Sequence, residues 1–102
     1  MTGLQNLTAD LETLLKMREW LSDPAHWCRF WLVTERGATC LAGAYHRAQP
    51  AHKGVLGSEE FYKEAAGLLG FATGYELVNF NDFAEHADVL KFLDDAISAR
   101  VC

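Results

Sequence analysis

Four residues in this chain carry groups that could do chemistry together. Cys40 offers a thiol, His86 an imidazole, and Asn81 and Asp82 an amide and a carboxylate that could orient it. Asp82 and His86 are four residues apart, so on a helix they share a face and a carboxylate–imidazole pair is allowed. If the fold carries Cys40 to that pair, a cysteine-dependent hydrolase or transferase of the Cys–His–Asn/Asp kind can be drawn. A plainer reading gives the same residues a structural part. Asn81 or Asp82 caps the last helix, and His86 is a solvated residue of its first turn. Motifs this short recur by accident, so the plainer reading is preferred and no catalytic set is assigned.

Histidine and cysteine recur at His26, Cys28, Cys40, His46 and His52. Neither a Cys-x-x-Cys nor a His-x₃₋₅-His ligand pairing is expected among them, and Cys40 and His46, six apart, fall on different sides of a helix. Three cysteines, Cys28, Cys40 and Cys102, are an odd number without close spacing, so they are expected to be reduced thiols. A cysteine among small helical residues is more often packed than reactive. We expect no metal and no cofactor.

Trp20, Trp27, Phe30 and Trp31 with Arg29 could be drawn as a base-stacking platform. The net charge of −5 and the lack of a basic stripe argue against nucleic acid as the partner. These aromatics are expected to close the core or to anchor another protein, with Trp27 and Trp31 as the contacts, since aromatics and arginine are enriched at interface hot spots. A small-molecule module lined by Trp27, Tyr45 and Tyr75 is a further alternative.

The charge is unevenly placed. Residues 1–57 carry six basic and five acidic side chains, and the remainder carries nine acidic against three basic, so the negative charge comes from the second half. Glu85, Asp88, Asp94 and Asp95 in the last helix would form an acidic outer face. Such faces are commonly just solvated; as a functional surface, this one fits a basic patch on a partner protein.

The elements that must position these residues follow from periodicity and caps. A chain of 102 residues, half of them hydrophobic, is expected to fold as one domain, residues 1–102, around one core. Leu7, Leu11, Leu14, Leu15 and Leu21, widened by Met17 and Trp20, predict a first helix over 9–21 capped by Thr8 and stopped by Ser22-Asp23-Pro24. The run from Trp27 to Val33 predicts a short strand or an extended buried segment, with a turn at Glu35-Arg36-Gly37. Thr39 is expected to cap a second helix over 40–48, where Gly43 costs on the order of 1 kcal/mol relative to alanine and implies close packing. Residues 49–57 read as the main loop. Ser58, Glu59 and Glu60 start a third helix that runs to Leu69 and stops at Gly70. Residues 71–80 read as a connector whose Glu76 to Phe80 portion could pair with the earlier strand. The last helix is expected from Asn81 to Arg100, started by Asp82 and Glu85, with Phe83, Ala87, Leu90, Leu93, Ala96 and Ile97 as its buried stripe and Val89 on the flank.

The Trp27 region, Cys40-Leu41-Ala42-Gly43-Ala44, Asn81-Asp82, Ala87-Asp88-Val89-Leu90 and Leu93-Asp94-Asp95-Ala96-Ile97 together resemble a small family of bacterial and phage proteins labelled a domain of unknown function. That family's pattern is a tryptophan, a Cys-x-x-Gly-Ala helix, a Trp-Asn-Asp and a Val-Leu…Leu-Asp-x-Ala-Ile helix. This chain departs from it at Phe80, where tryptophan is expected, and in lacking a basic residue between Asn81 and His86. The resemblance implies a mainly helical fold and no assigned activity.

The expectation is therefore a mainly α protein of about four helices with a short hairpin or extended segment. Its function is expected to be binding rather than catalysis: a small acidic module, a regulator or inhibitor encoded by a phage or mobile element, that occludes a basic surface of another protein. No signal peptide is read at the N-terminus, and uncharged runs such as Gly67 to Tyr75 are far too short to span a membrane, so a cytoplasmic location without membrane contact is expected.

Overall fold

The computed structural model describes residues 2–101, and their side chains from Ala9 onward. Five α-helices account for most of the described chain: α1 (Thr2–Leu21), α2 (Leu41–Ala48), α3 (Glu59–Leu69), α4 (Gly74–Phe83) and α5 (His86–Val101). The fold is mainly helical, and among the described residues only two isolated β-bridges occur, with no sheet. No described helix is long and apolar enough to cross a membrane.

Helix α1 begins earlier than its leucine pattern implied; the expected cap, Thr8, and Leu7 have side chains outside the described residues. Leu14, Met17 and Leu21 are fully buried, at steps of three and four. Leu15, next to Leu14 but turned about 100° away, is instead exposed. The helix stops where the proline requires. Asp23 accepts a hydrogen bond from the Ala25 N–H (2.9 Å), and Pro24–His26 forms a single 3₁₀ turn.

The expected strand from Trp27 to Val33 does not form a hairpin. The Thr39 N–H donates to His26 O (2.7 Å) and the Cys28 N–H to Thr39 O (3.0 Å), which makes a parallel bridge, and Val33 pairs with the same Thr39 from the other side. One residue thus serves both bridges, so no ladder can propagate. The turn at Thr34–Gly37 does close, with Gly37 N–H donating to Thr34 O (2.9 Å) at a φ of +89°.

Cys40, expected inside α2, is its N-cap: Sγ accepts from the Gly43 N–H (3.4 Å). Leu41 through Tyr45 are all buried. A Cβ on Gly43 would sit 2.0 Å from the Leu32 carbonyl oxygen, so the close approach implied by that glycine is to the 27–33 segment. Helix α3 is capped as expected: Ser58 Oγ accepts from the Phe61 N–H (3.1 Å), and Gly70 ends it in the left-handed conformation at φ +85°.

The largest correction concerns residues 71–83. The expected connector is helix α4. Thr73 Oγ1 accepts from the Glu76 N–H (3.1 Å), and Glu76 reaches back to the Ala72 N–H (3.2 Å). Asn81 and Asp82 therefore lie near the end of α4 and do not start α5. The chain breaks at Ala84, which is extended, and the Glu85 N–H donates to Asp88 Oδ2 (3.1 Å) as α5 begins. Val89 and Leu93 carry the buried stripe of α5, whereas Phe83 is exposed and Ala87 is also at the surface.

The core forms where α1 packs on α2 and α5 while α3 packs on α4. Phe61 is fully buried in it, and Phe71, Phe80 and Phe92, partly buried, pack against the core and one another with ring centroids 5.0 to 5.7 Å apart.

Candidate functional site

Asn81, 1% exposed, joins three segments that are distant in sequence. Its Oδ1 accepts from Trp27 Nε1 (2.8 Å) and from the Leu41 N–H at the start of α2 (3.1 Å). Its Nδ2 donates to Cys28 O (3.1 Å) and to Asp82 Oδ1 (3.2 Å). The four hydrogen bonds use the full capacity of the amide. The Leu41 N–H is one of the unpaired donors that every helix start leaves, so Asn81 caps α2 from another helix.

Asp82 continues the same network outward. Its Oδ1 accepts from the Phe30 N–H (2.9 Å). Phe30 has φ +71°, the one non-glycine residue with positive φ among those described. A bulky residue in that region is strained, and the Asp82 bond is what holds it there. Arg29 donates through Nε to Ala84 O (3.1 Å) and through Nη2 to the same oxygen, lies 3.5 Å from Glu85, and stacks 5.0 Å over the Trp27 ring. It places a cation at the negative end of α4.

The loop 28–31 is therefore fastened from several sides, and the Cys28 thiol also donates to Trp31 O (3.3 Å). Its two large side chains nevertheless point to water: Phe30 is 70% exposed and Trp31 67%. Phe83, which follows Asp82, and Tyr75, two turns earlier on α4, are likewise exposed. An open groove of about 550 Å³ lies beside Trp31, Val33 and Arg36, and one of about 590 Å³ beside Tyr62, Tyr75 and Val78. Between them, a cleft of about 40 Å³ touching Phe30, Cys40 and Asp82 has room for only about a water or two.

The structure distributes the other expected residues differently. Cys40 is buried, and burial, the largest cause, pushes its thiol up to about 11. The Gly43 and Ala42 N–H groups at the helix start act in the opposite direction and are outweighed. His86 Nε2 lies 2.6 Å from Leu21 O; a carbonyl only accepts, so Nε2 carries the proton and points at α1. Among the described residues no hydrogen bond joins Cys40 to His86 or Asp82 to His86. The break at Ala84 separates the latter pair, which the four-residue spacing had placed on one helix face. Trp27 is half-buried and committed to Asn81; Trp31 is free at the surface. Asp94 pairs with Arg18 (2.8 Å) and Asp95 with Lys91 (3.0 Å), while Asp88 is taken up by the start of α5. Glu85 remains exposed beside Arg29.

Tyr45 is buried and Tyr75 exposed, and they line no common cavity with Trp27 among those described here. No group of three or more His, Cys, Asp or Glu side chains gathers as a metal site among the described residues. Sequence reasoning missed Phe83 and Tyr75 as surface aromatics and Asn81 as a buried hub. The signal for the first two was Thr73-x-x-Glu76, a capping box that starts α4 and fixes which of its faces is outward.

These features define a mainly helical protein whose buried amide clamps an aromatic loop against two helices. The chain belongs to a family of unknown function, DUF6197, whose model matches residues 5–99. No curated protein and no solved structure matches it.

Proposed function

We propose that this chain is a small protein-binding module that docks through the loop carrying Phe30 and Trp31. The observation that carries this reading is the combination of exposure and restraint. Two large aromatics stand in solvent on a backbone held by Asp82, Arg29 and Cys28, one of them at a strained φ. Exposed aromatics on a pre-ordered backbone lose little conformational entropy on binding, which is the usual character of interface anchors. Phe83 is likewise exposed next to Asp82, whose carboxylate holds the Phe30 N–H, and Asp82 and Glu85 bring negative charge to this end of α4. The partner that fits is a protein with an apolar pocket rimmed by basic side chains, and occluding such a surface would make the chain a regulator or inhibitor. A phage or mobile-element role belongs to the same proposal.

The acidic outer face of α5 is the lesser part of the interface, because Asp94 and Asp95 each already have a cation partner. The test is affinity capture from host lysate with wild type, a Phe30→Ser/Trp31→Ser variant and a Glu85→Lys/Asp88→Lys/Asp95→Lys variant. We expect the aromatic variant to lose its partner, with affinity falling at least about tenfold, while its melting temperature stays close to wild type. If every captured partner survives the aromatic substitutions, the loop is not the interface.

A further inference from the structure

Helix α2 ends at Ala48, and the chain turns back at once, with the Gln49 N–H donating to Tyr45 O (2.8 Å) and the His52 N–H to Gln49 O (3.2 Å). The turn brings His52 against His46, in the last turn of the helix. His46 Nδ1 and His52 Nε2 face each other 2.7 Å apart. His52 Nδ1 lies 2.7 Å from Gly54 O. Since the carbonyl can only accept, Nδ1 of His52 carries its proton and Nε2 presents a lone pair when the ring is neutral. An imidazole whose second nitrogen is bound to a backbone carbonyl is the arrangement that orients metal-ligating histidines.

The surroundings hold both rings in place. Phe61 packs against them, with ring centroids 4.8 Å from His52 and 6.4 Å from His46. A Cβ on Gly54 would stand 2.4 Å from the Phe61 nitrogen, so the loop is pressed directly onto α3. Glu64 fastens it there, accepting from the Gly54 N–H (2.7 Å), the Lys53 N–H (3.1 Å) and the Tyr45 hydroxyl (3.4 Å). This half-buried carboxylate has no ion pair among the described residues and sits against the loop that carries His52.

We propose that His46 Nδ1 and His52 Nε2 form a two-histidine site for a divalent late transition metal such as Zn²⁺ or Ni²⁺. The His-x₅-His spacing lies within the range that paired histidine ligands use. Metal–nitrogen bonds of about 2.0 to 2.1 Å place two adjacent ligand nitrogens roughly 3 Å apart. The rings need to separate by roughly half an ångström and to turn so that both nitrogens point at the ion rather than at each other. In the neutral pair the shared hydrogen sits on His46 Nδ1; on metal binding it is replaced there and His46 carries its proton on Nε2. Glu64 supplies charge without ligating, because its oxygens already accept from three donors. With two protein ligands the ion keeps open positions for water, so it exchanges readily and is held less tightly than in a closed structural site. Imidazole ligands suit zinc, nickel and copper rather than magnesium or calcium.

The test is nitrogen NMR of the four imidazoles in the full chain, titrated with Zn²⁺ after chelator treatment. His26 and His86 serve as internal controls, since each is bound to a backbone carbonyl elsewhere. We expect one Zn²⁺ per chain, with shifts confined to His46 Nδ1 and His52 Nε2. His46→Gln and His52→Gln should each weaken binding at least about tenfold, as loss of one of two ligands requires. Absence of any shift in the wild-type imidazoles, or Zn²⁺ binding that persists unchanged in the doubly substituted chain, would overturn the proposal.

Discussion

Asn81 contributes more to this fold than a helix cap would, because removing it strands two donors and takes a donor from two acceptors. In Asn81→Ala the Leu41 N–H, which is buried, and the Trp27 indole N–H, which is partly so, lose their shared acceptor. Each buried unpaired group costs about 1 to 3 kcal/mol. We expect a loss of roughly 2 to 4 kcal/mol, read as a lower urea midpoint. Cys40 makes a second prediction at this scale. Its thiol is raised from 9.0 to about 11, chiefly by burial. Between those values the folded chain holds a proton that the unfolded chain has released, so stability is intact below about pH 9 and falls as pH rises toward 11. Two pH units correspond to on the order of 2 kcal/mol for this group. Tyr45 and Tyr62 are also raised by burial and add to the same alkaline loss, so the Cys40 share is the difference in slope between wild type and Cys40→Ser. Iodoacetamide should label Cys40 negligibly at neutral pH and progressively above pH 9; fast labelling at neutral pH would return the thiol to consideration as a nucleophile.

At the scale of the elements, two glycines in helices make opposite predictions. Gly67 lies on the exposed side of α3 with nothing within 4 Å of an added Cβ. Gly67→Ala should stabilise by about 0.5 to 1 kcal/mol through helix propensity and a less flexible unfolded chain. Gly43→Ala has the same propensity gain but would drive its methyl into the Leu32 carbonyl. We expect it to lower the melting temperature. Caps were legible where a short polar side chain preceded a helical pattern, as at Ser58, and where glycine followed one, as at Gly70. Helix α4 was not, because Tyr75, Val78 and Phe80 are residues strands favour and Gly74 breaks the helical pattern. Gly74 is there because Tyr62 of α3 leaves no room for a larger residue: an added Cβ would lie 2.7 Å from Tyr62 Cβ. Losing α4 also displaced the start of α5 to Asn81, and with it the face assigned to Asp82 and His86.

For the molecule as a whole, the net charge of −5 is partly consumed within the fold. Arg18 of α1 reaches Asp94 of α5 across the helix pair, a partly exposed contact worth about 1 kcal/mol or less in stability. The apolar area available at the surface includes Phe30, Trp31 and Phe83, with Asp82 and Glu85 close to them in the chain or by hydrogen bond. The two kinds of group should separate kinetically in a partner complex. Phe30→Ser and Trp31→Ser are expected to raise the dissociation rate, whereas Glu85→Lys should slow association and reduce its dependence on salt, both measurable by surface plasmon resonance.

The sequence by itself determined the mainly helical class and the boundaries of α2 and α3 to within a residue or so, because caps and periodicity are local properties. Tertiary structure decided which polar residues are buried and which aromatics are not. Asn81 became a hub only when α4 met the start of α2, and Trp27 and Trp31, four residues apart, parted into an anchored ring and an exposed one. His46 and His52 met because the chain turned back after Ala48. These outcomes depend on distances between segments far apart in the chain or on the direction of a turn, and no local pattern encodes them.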